Sequence, residues 1–449
     1  MQEMKTTVWF VTIAAILVIL AVLMAPRRIT PDAFLDQGEP FFPEFTNPND
    51  ATTLEVIEFD PERGQARPFR VTFANGRWTI PSHHNYPADA ADRLAKTAAG
   101  VIDLKKDDFR SNTISDQLLT GVLDPLDETA GLTGRGTRVT LKKNEQTLAD
   151  LIIGYPVEGR PGFRYVRVPG SNRIYASRVD VDLSTRFADW IDTDLLQVVR
   201  RKIDQVAIDN YRVDERTRSV QQLEKTTLTK GDDGWRIVGT KAEPDSVIVA
   251  EMLATLDTLT IVGVRPKPAG LSASLKADAE GGEIDRNTVF SLRDKGFFIG
   301  ADGHLVSNEG EMVVRTTDKV YYTLRFGEVV YGTGLEISAG LGAEDPEGQS
   351  TQNVAARYLF VTTRFDKNEL PPEPPQPTDR EFQSKPDSLW TAQDSTNSAR
   401  HKEYQVWQAQ VERGERISRE LNERFADWYY VISEDSFRKL KIRRADLTP

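Results

Sequence analysis

The feature that most constrains this chain is an internal repeat, seen as three gapless matches in the same order. Leu54, Ile57, Phe59 and Asp60 line up with Ile203, Val206, Ile208 and Asp209, each set reading as an opening strand. Gly76, Trp78, Ile80 and Pro87 then match Gly234, Trp235, Ile237 and Pro244. Turn signals at Asn75-Gly76 and Asp233-Gly234 place a hairpin before each Trp. Proline and an acidic residue next announce a helix in each half. Its apolar positions read as Ala91, Ala95, Ala98 and Ile102 in the first and Ile248, Met252, Thr255 and Leu259 in the second. The longest match pairs Leu141 through Gly154 and Val157 with Val314 through Gly327 and Val330, a second hairpin ending in Gly. Beyond it Arg164-Tyr165-Val166 answers Arg357-Tyr358-Leu359 if the second half carries an extra loop at 332–353, rich in Gly and acids and read as mobile surface.

The N-terminus adds a different constraint. From Thr6 to Ala25 the chain carries no charge and is almost wholly aliphatic or aromatic. About 20 such residues at 1.5 Å rise cross a bilayer core of roughly 30 Å, and only a helix satisfies its own backbone there. Leu23, Ala25 and Pro26 do not make a cleavage site, so the anchor is expected to be retained. Lys5 precedes the segment while Arg27 and Arg28 follow it, so charge counting favours a cytoplasmic body. A short tail before a first apolar helix favours the opposite orientation. The absence of cysteine fits either compartment.

A pentapeptide, Arg186-Phe187-Ala188-Asp189-Trp190, recurs as Arg424-Phe425-Ala426-Asp427-Trp428 and is taken to close both copies. The second copy is then interrupted after Asp366 by an insert opening with Pro371, Pro372, Pro374, Pro375 and Pro377, a stiff spacer. The insert ends in a helix whose apolar members Trp407, Val411, Ile417, Leu421, Phe425 and Trp428 follow a 3.6 period with Gly414 on the same face. That stripe either packs on the protein's own core or docks a partner through Trp407, Val411, Leu421 and Phe425.

These residues resemble a family of bacterial proteins carrying the domain of unknown function numbered 4340. The likeness rests on the N-terminal apolar segment, the Trp78 hairpin with Pro87, the strand end Ile153-Gly154, Arg164 to Arg167, Arg173-Ile174-Tyr175 and Trp190, and covers most of residues 50 to 365. The resemblance implies a body outside the cytoplasmic membrane that accompanies ABC transport systems of the gliding-motility type. It carries over no functional residue, and the insert after Asp366 departs from the simple pattern.

No motif for catalysis emerges. Gly131 to Arg138 lacks the Lys-Ser/Thr pair of a phosphate loop, so the chain is not itself expected to be an ATPase. With no Cys and only His83, His84, His304 and His401, a zinc site would need scattered ligands. His83-His84 reads as a turn, Asp180 and Asp182 lack a calcium loop around them, and Asp182 reads as a helix N-terminal residue. No Gly-x-Ser-x-Gly elbow is present. The net charge of −11 argues against nucleic acid and anionic membrane surfaces as partners.

The expectation is an α+β protein with a tail at 1–5, a transmembrane helix at 6–25, a linker at 26–50 and two tandem hairpin-helix-hairpin repeats at 51–197 and 198–365. A proline-rich linker at 366–390 and a C-terminal helical region at 391–449 that closes the second repeat complete it. No catalytic residue, cofactor or metal is expected. The expected role is a non-enzymatic accessory subunit facing the periplasm, with an ABC transporter permease or related envelope proteins as partners. The alternative is a free-standing envelope protein that binds a ligand or works as an enzyme.

Overall fold

The computed structural model describes residues 9, 13–19, 35–61, 64–214, 219–271, 275, 285–300, 302–332, 337–339 and 354–448. Most of the expected membrane segment therefore lies outside the described residues. Trp9 and Ile13 to Ile19 are helical and exposed. Among the described residues no helix is long and apolar enough to cross a membrane.

The fold is mixed α+β. Strands β1 (Thr53–Asp60), β2 (Gln65–Ala74), β3 (Arg77–Ile80) and β4 (Tyr86–Pro87) pair antiparallel in the order β4-β3-β2-β1. The β2–β3 turn is Asn75-Gly76 with both residues at positive φ, as a tight primed hairpin requires. Helix α1 (Ala91–Ile102), β5 (Asp108–Ser111), α2 (Ser115–Thr120), β6 (Thr137–Lys143), β7 (Gln146–Pro156), β8 (Phe163–Arg167) and β9 (Ile174–Arg178) follow, the strands pairing in the order β6-β7-β8-β9-β5.

The second half runs β10 (Ile203–Asp214), β11 (Ser219–Gly231), β12 (Gly234–Ile237), α3 (Ser246–Asp257), β13 (Gly263–Pro266), α4 (Arg286–Asp294), β14 (Phe297–Ile299), β15 (Leu305–Ser307), β16 (Glu311–Thr316), β17 (Val320–Gly332) and β18 (Val354–Phe365). Helix α5 (Ala392–Phe425), β19 (Trp428–Ser433), α6 (Glu434–Leu440) and α7 (Arg444–Leu447) complete it. Its sheet has the order β12-β11-β10-β16-β17-β18-β19-β13, and β14 pairs β15 separately.

Strand registers in the two halves agree over most of their length, apart from a bulge between Leu141 and Lys142 that β16–β17 lacks. Val139 faces Leu151 and Leu141 faces Ala149, as Met312 faces Leu324 and Val314 faces Tyr322. Ile153 faces Val166 and, past a bulge, Pro156 faces Arg164; Phe326 faces Leu359 and, past a bulge at the same place, Val329 faces Arg357. Tyr165 faces Ala176 and Phe109 faces Tyr175, as Tyr358 faces Val431 and Val264 faces Tyr430. In each half a helix ends where its last carbonyls crowd a β-strand glycine. A Cβ on Gly154 would run into Thr120 O, and one on Gly327 into Lys295 O.

This geometry corrects several expectations. Phe73 faces Trp78 as Lys230 faces Trp235, and along the same hairpins Leu54 faces Val71 as Val206 faces Leu228. Leu54 thus takes the place of Val206, three residues from the Ile203 match. Tyr175 and Tyr430 hold equivalent places, so Trp428 stands where the first half has Arg173, and the two pentapeptides are not equivalent. The first forms a 3-10 turn at Phe187–Trp190 after β9; the second closes α5 and opens β19. The insert therefore fills the β18–β19 connection, and β19 supplies the closing strand.

Helix faces also differ from the reading. Leu94, Thr97, Ala98 and Val101 are buried on α1 while Ala91 is exposed, and Val249, Met252, Leu253 and Leu256 are the buried set on α3. Trp78 and Trp235 are half-buried; Ile80 and Ile237 two residues on are the core positions. Asp182 lies in irregular chain outside any helix, its carbonyl accepting from Thr97 Oγ1 at 2.9 Å.

The chain divides into two compact units, 1–51 with 61–64 and 96–182, and 52–60 with 65–95 and 183–449. This does not follow a boundary between residues 197 and 198. Strands β1 to β4 group with the second half, where Tyr86 meets Trp428 edge-on at 5.0 Å and His83 bonds Ser338.

Candidate functional site

The apolar stripe on α5, read as either core or docking face, is an internal packing face. Trp407, Leu421 and Phe425 are buried and Val411 is half-buried. Two causes act together. At Gly414 a side chain would collide with the Phe365 ring of β18, so glycine lets the helix lie directly on the sheet. Polar groups then fix the contact: Asn422 Oδ1 accepts from Thr363 N at 3.1 Å, its Nδ2 donates to Thr363 O at 2.9 Å, and Thr363 Oγ1 donates to Ser418 O at 3.1 Å. The proline segment does not hold the helix away. Trp407 Nε1 donates to Pro371 O at 3.0 Å, with Lys367 Nζ 4.6 Å from the ring centroid.

A buried polar centre lies within the larger unit. His83, fully buried in the 3-10 turn Pro81–His83, has Nε2 at 3.0 Å from Ser338 Oγ and Nδ1 at 3.0 Å from Ser82 Oγ. Its ring stacks on Phe187 at 4.1 Å, and His84 Nε2 donates to Ala339 O at 2.7 Å. Burial first, and then the neighbouring charges of His84 and Arg265, push the His83 imidazole down to about 3. Ser338 comes from the loop expected to be mobile surface. Ile337, Ser338 and Ala339 are buried, Ile337 packing with Ala356 and Val431 and its carbonyl accepting from Arg265 Nη2 at 2.9 Å; the rest of that loop lies outside the described residues except Gly332. A neutral histidine between two hydroxyls has the donors of a proton relay, but full burial makes this a satisfied interior bridge.

A cavity of about 320 Å³ lies nearby, lined by residues including Tyr86, Asp89, Asp192, Arg424, Asp427 and Trp428. Arg424 Nη1 pairs Asp192 Oδ2 at 3.3 Å and its Nη2 donates to Asp192 O and Asp194 O at 3.0 and 2.7 Å. Burial raises the Tyr86 phenol and the Asp194 carboxyl. The walls are aromatic, and the carboxylates of Asp89, Asp192, Glu423 and Asp427 outnumber Arg77 and Arg424 around it, a balance that leans toward a cationic group. The sequence held no signal for it beyond the turn at His83-His84 and the second pentapeptide.

Among the described residues no group of three or more His, Cys, Asp or Glu side chains is arranged to hold a metal ion. His304 pairs exposed Asp302 at 3.1 Å, and His401 Nε2 lies 3.1 Å from Gln383 Nε2. Asp180 lines a separate cavity of 420 Å³ with Asp103, Lys105, Asp107 and Arg178. Gly131 to Arg138 is a stapled loop, with Arg135 donating to Gly131 O, Pro125 O and Ala130 O at 2.8 to 2.9 Å.

Residues 78–274 match the model of a family described as Domain of unknown function (DUF4340), so the resemblance read from the sequence holds over that span. No curated protein and no solved structure matches the chain.

Proposed function

We propose that this chain is a non-enzymatic, membrane-anchored accessory subunit whose body, two tandem copies of one α+β module, lies outside the cytoplasmic membrane and binds components of an ABC-type transport system. The observation that carries the reading is the agreement of registers from β6 to β9 with β16 to β19, including the bulge after Ile153 and after Phe326. A bulge at the same place in both halves supports duplication, because each slip of one residue reverses every side chain. Duplication gives a scaffold with repeated surfaces, and loops and inserts on such a frame are where contacts with partners arise. The exposed helical run Ile13 to Ile19 supports the anchor, since seven consecutive exposed apolar positions are unfavourable in water. The family resemblance supports the orientation and the transport partnership.

A second reading, a free-standing envelope protein that binds a cationic ligand, is favoured by the aromatic and acidic cavity at Tyr86 and Trp428. The anchor and orientation are tested by adding protease to intact spheroplasts. Digestion of the body with a short protected N-terminal fragment is expected; a body protected until the membrane is lysed would overturn the orientation.

A further inference from the structure

The smaller unit carries a surface that neither the packing of α5 nor the cavities absorb. Ile114, Leu118, Leu119, Leu126, Leu132 and Tyr155 are all exposed, Leu119 by 74% and Ile114 by 65%. Single exposed leucines are ordinary on a protein surface; five exposed apolar residues between 114 and 132, with Tyr155 of β7 set against Gly121 and Gly134, are less so.

That group is held rigidly. Arg135 fixes the loop through its three carbonyl acceptors. Gly134 N donates to Tyr155 Oη at 3.1 Å, and Leu123 and Gly136 exchange backbone bonds with the strip around Gly134, Leu123 N to Gly134 O at 3.0 Å and Gly136 N to Leu123 O at 2.9 Å. Gly134 packs so closely on Leu118, and Gly121 on the Tyr155 ring, that a side chain at either would collide. A surface already ordered loses little entropy on binding.

We propose that this surface docks a protein partner through an apolar strip flanked by lysine or arginine. Charge complementarity selects that occupant. In sequence the leucines are flanked by Asp116, Asp127 and Glu128, and by Asp124, which Arg138 pairs. Arg138 is paired by Asp124 at 3.0 Å and Asp150 at 2.6 Å, and Arg135, bonded to neutral carbonyls, keeps its charge against Asp116, Asp127 and Glu128, so the flanks stay net acidic. An acidic rim repels an anionic lipid surface and steers a basic one toward the apolar centre. The proposal rests on the accessory-subunit reading only in taking the partner to be a protein.

The test is photo-cross-linking in intact cells, using the full chain with a photoreactive aryl ketone residue placed at 119 or 132, and at exposed Leu223 as a control site. The adducts are identified by mass spectrometry. Adducts at 119 and 132, at least tenfold above those at 223, to a protein segment of apolar residues flanked by Lys or Arg, support the proposal. Leu126→Asp in the same chain is expected to lower the yield at 132 at least tenfold, while Leu126→Met restores it and both variants keep the melting temperature. Adducts to lipid, to a second copy of this chain, or to a segment lacking basic flanks would overturn it, as would equal yields at 223 or none at 119 and 132. If the adduct partner is no transport component, the surface stands and the transport reading falls; if transport components co-purify without adducts at 119, the reverse holds.

Discussion

Arg357 of β18 donates from Nη1 to the carbonyl oxygen of Gly327 on β17 at 2.8 Å. Arg164, its counterpart on β8, donates from Nε to the carbonyl of Gly154 at 2.9 Å. Each arginine thus closes the bulge that follows the strand glycine in its own half. A second pair repeats as well: Arg110 lies over the Tyr165 ring at 5.8 Å, and Arg265 sits beside Tyr358.

The two arginines differ in what else they hold, and this sets a graded prediction. Arg357 is buried, pairs Glu434 at 2.9 Å and lies 3.8 Å from the Phe437 ring centroid, so Arg357→Met leaves the half-buried Glu434 carboxylate to Arg438 at 3.5 Å. A cost of about 2 to 3 kcal/mol is expected in chemical denaturation, against about 1 to 2 for Arg164→Met, which loses mainly one hydrogen bond. Equal costs would show that the bulge, and not the Glu434 pair, sets the energetics.

In the β2–β3 and β11–β12 hairpins, Ile80 and Ile237 are buried while Trp78 and Trp235 are half-buried. Ile80→Ala and Ile237→Ala are expected to cost about 2 to 5 kcal/mol each. Alanine at either Trp is expected to cost less than at the isoleucine two residues on, read as the shift in melting temperature.

The α5 face gives a sharp sign. Helix propensity alone makes Gly414→Ala stabilising by about 1 kcal/mol, yet the collision with Phe365 predicts a net loss of about 1 to 3. Replacing Trp407 and Val411 together by Ser is likewise expected to lower the melting temperature by well over a few degrees, because Trp407 is buried. An unchanged melting temperature in both would return α5 to the set of docking surfaces.

His83 sets a pH dependence. Its folded pKa is about 3 against 6.5, so the unfolded chain binds the proton first as pH falls. The stabilisation from the neutral ring is complete above pH 6.5 and is lost between 6.5 and 3, by about 1.4 kcal/mol per pH unit. His83→Gln is expected to remove one proton from the slope of stability against pH over that window. An unaltered slope would mean the ring is protonated in the fold.

Much of this architecture was legible in the sequence because its signals are local. The Asn75-Gly76 turn, the Ile153-Gly154 strand end and the Arg-Tyr pairs at 164–165 and 357–358 announce themselves through turn chemistry and alternation. Three things were not. Alignment of Leu54 with Ile203 was three residues off because apolar alternation tolerates such a slip, whereas backbone pairing fixes it. The repeated Arg-Phe-Ala-Asp-Trp misled because identical side chains sit on unlike backbones, a 3-10 turn and a helix end. The burial of Ser338 on His83 joins residues 255 apart in sequence and leaves no local trace.

The central claim, an accessory subunit of a transport system, is tested most directly by affinity purification of the full-length chain from membranes in mild detergent, with quantitative mass spectrometry of what co-elutes. The account predicts a permease and its ATP-binding subunit in fixed ratio to the chain. A correctly folded chain that elutes alone, with no transport component above background, would contradict it.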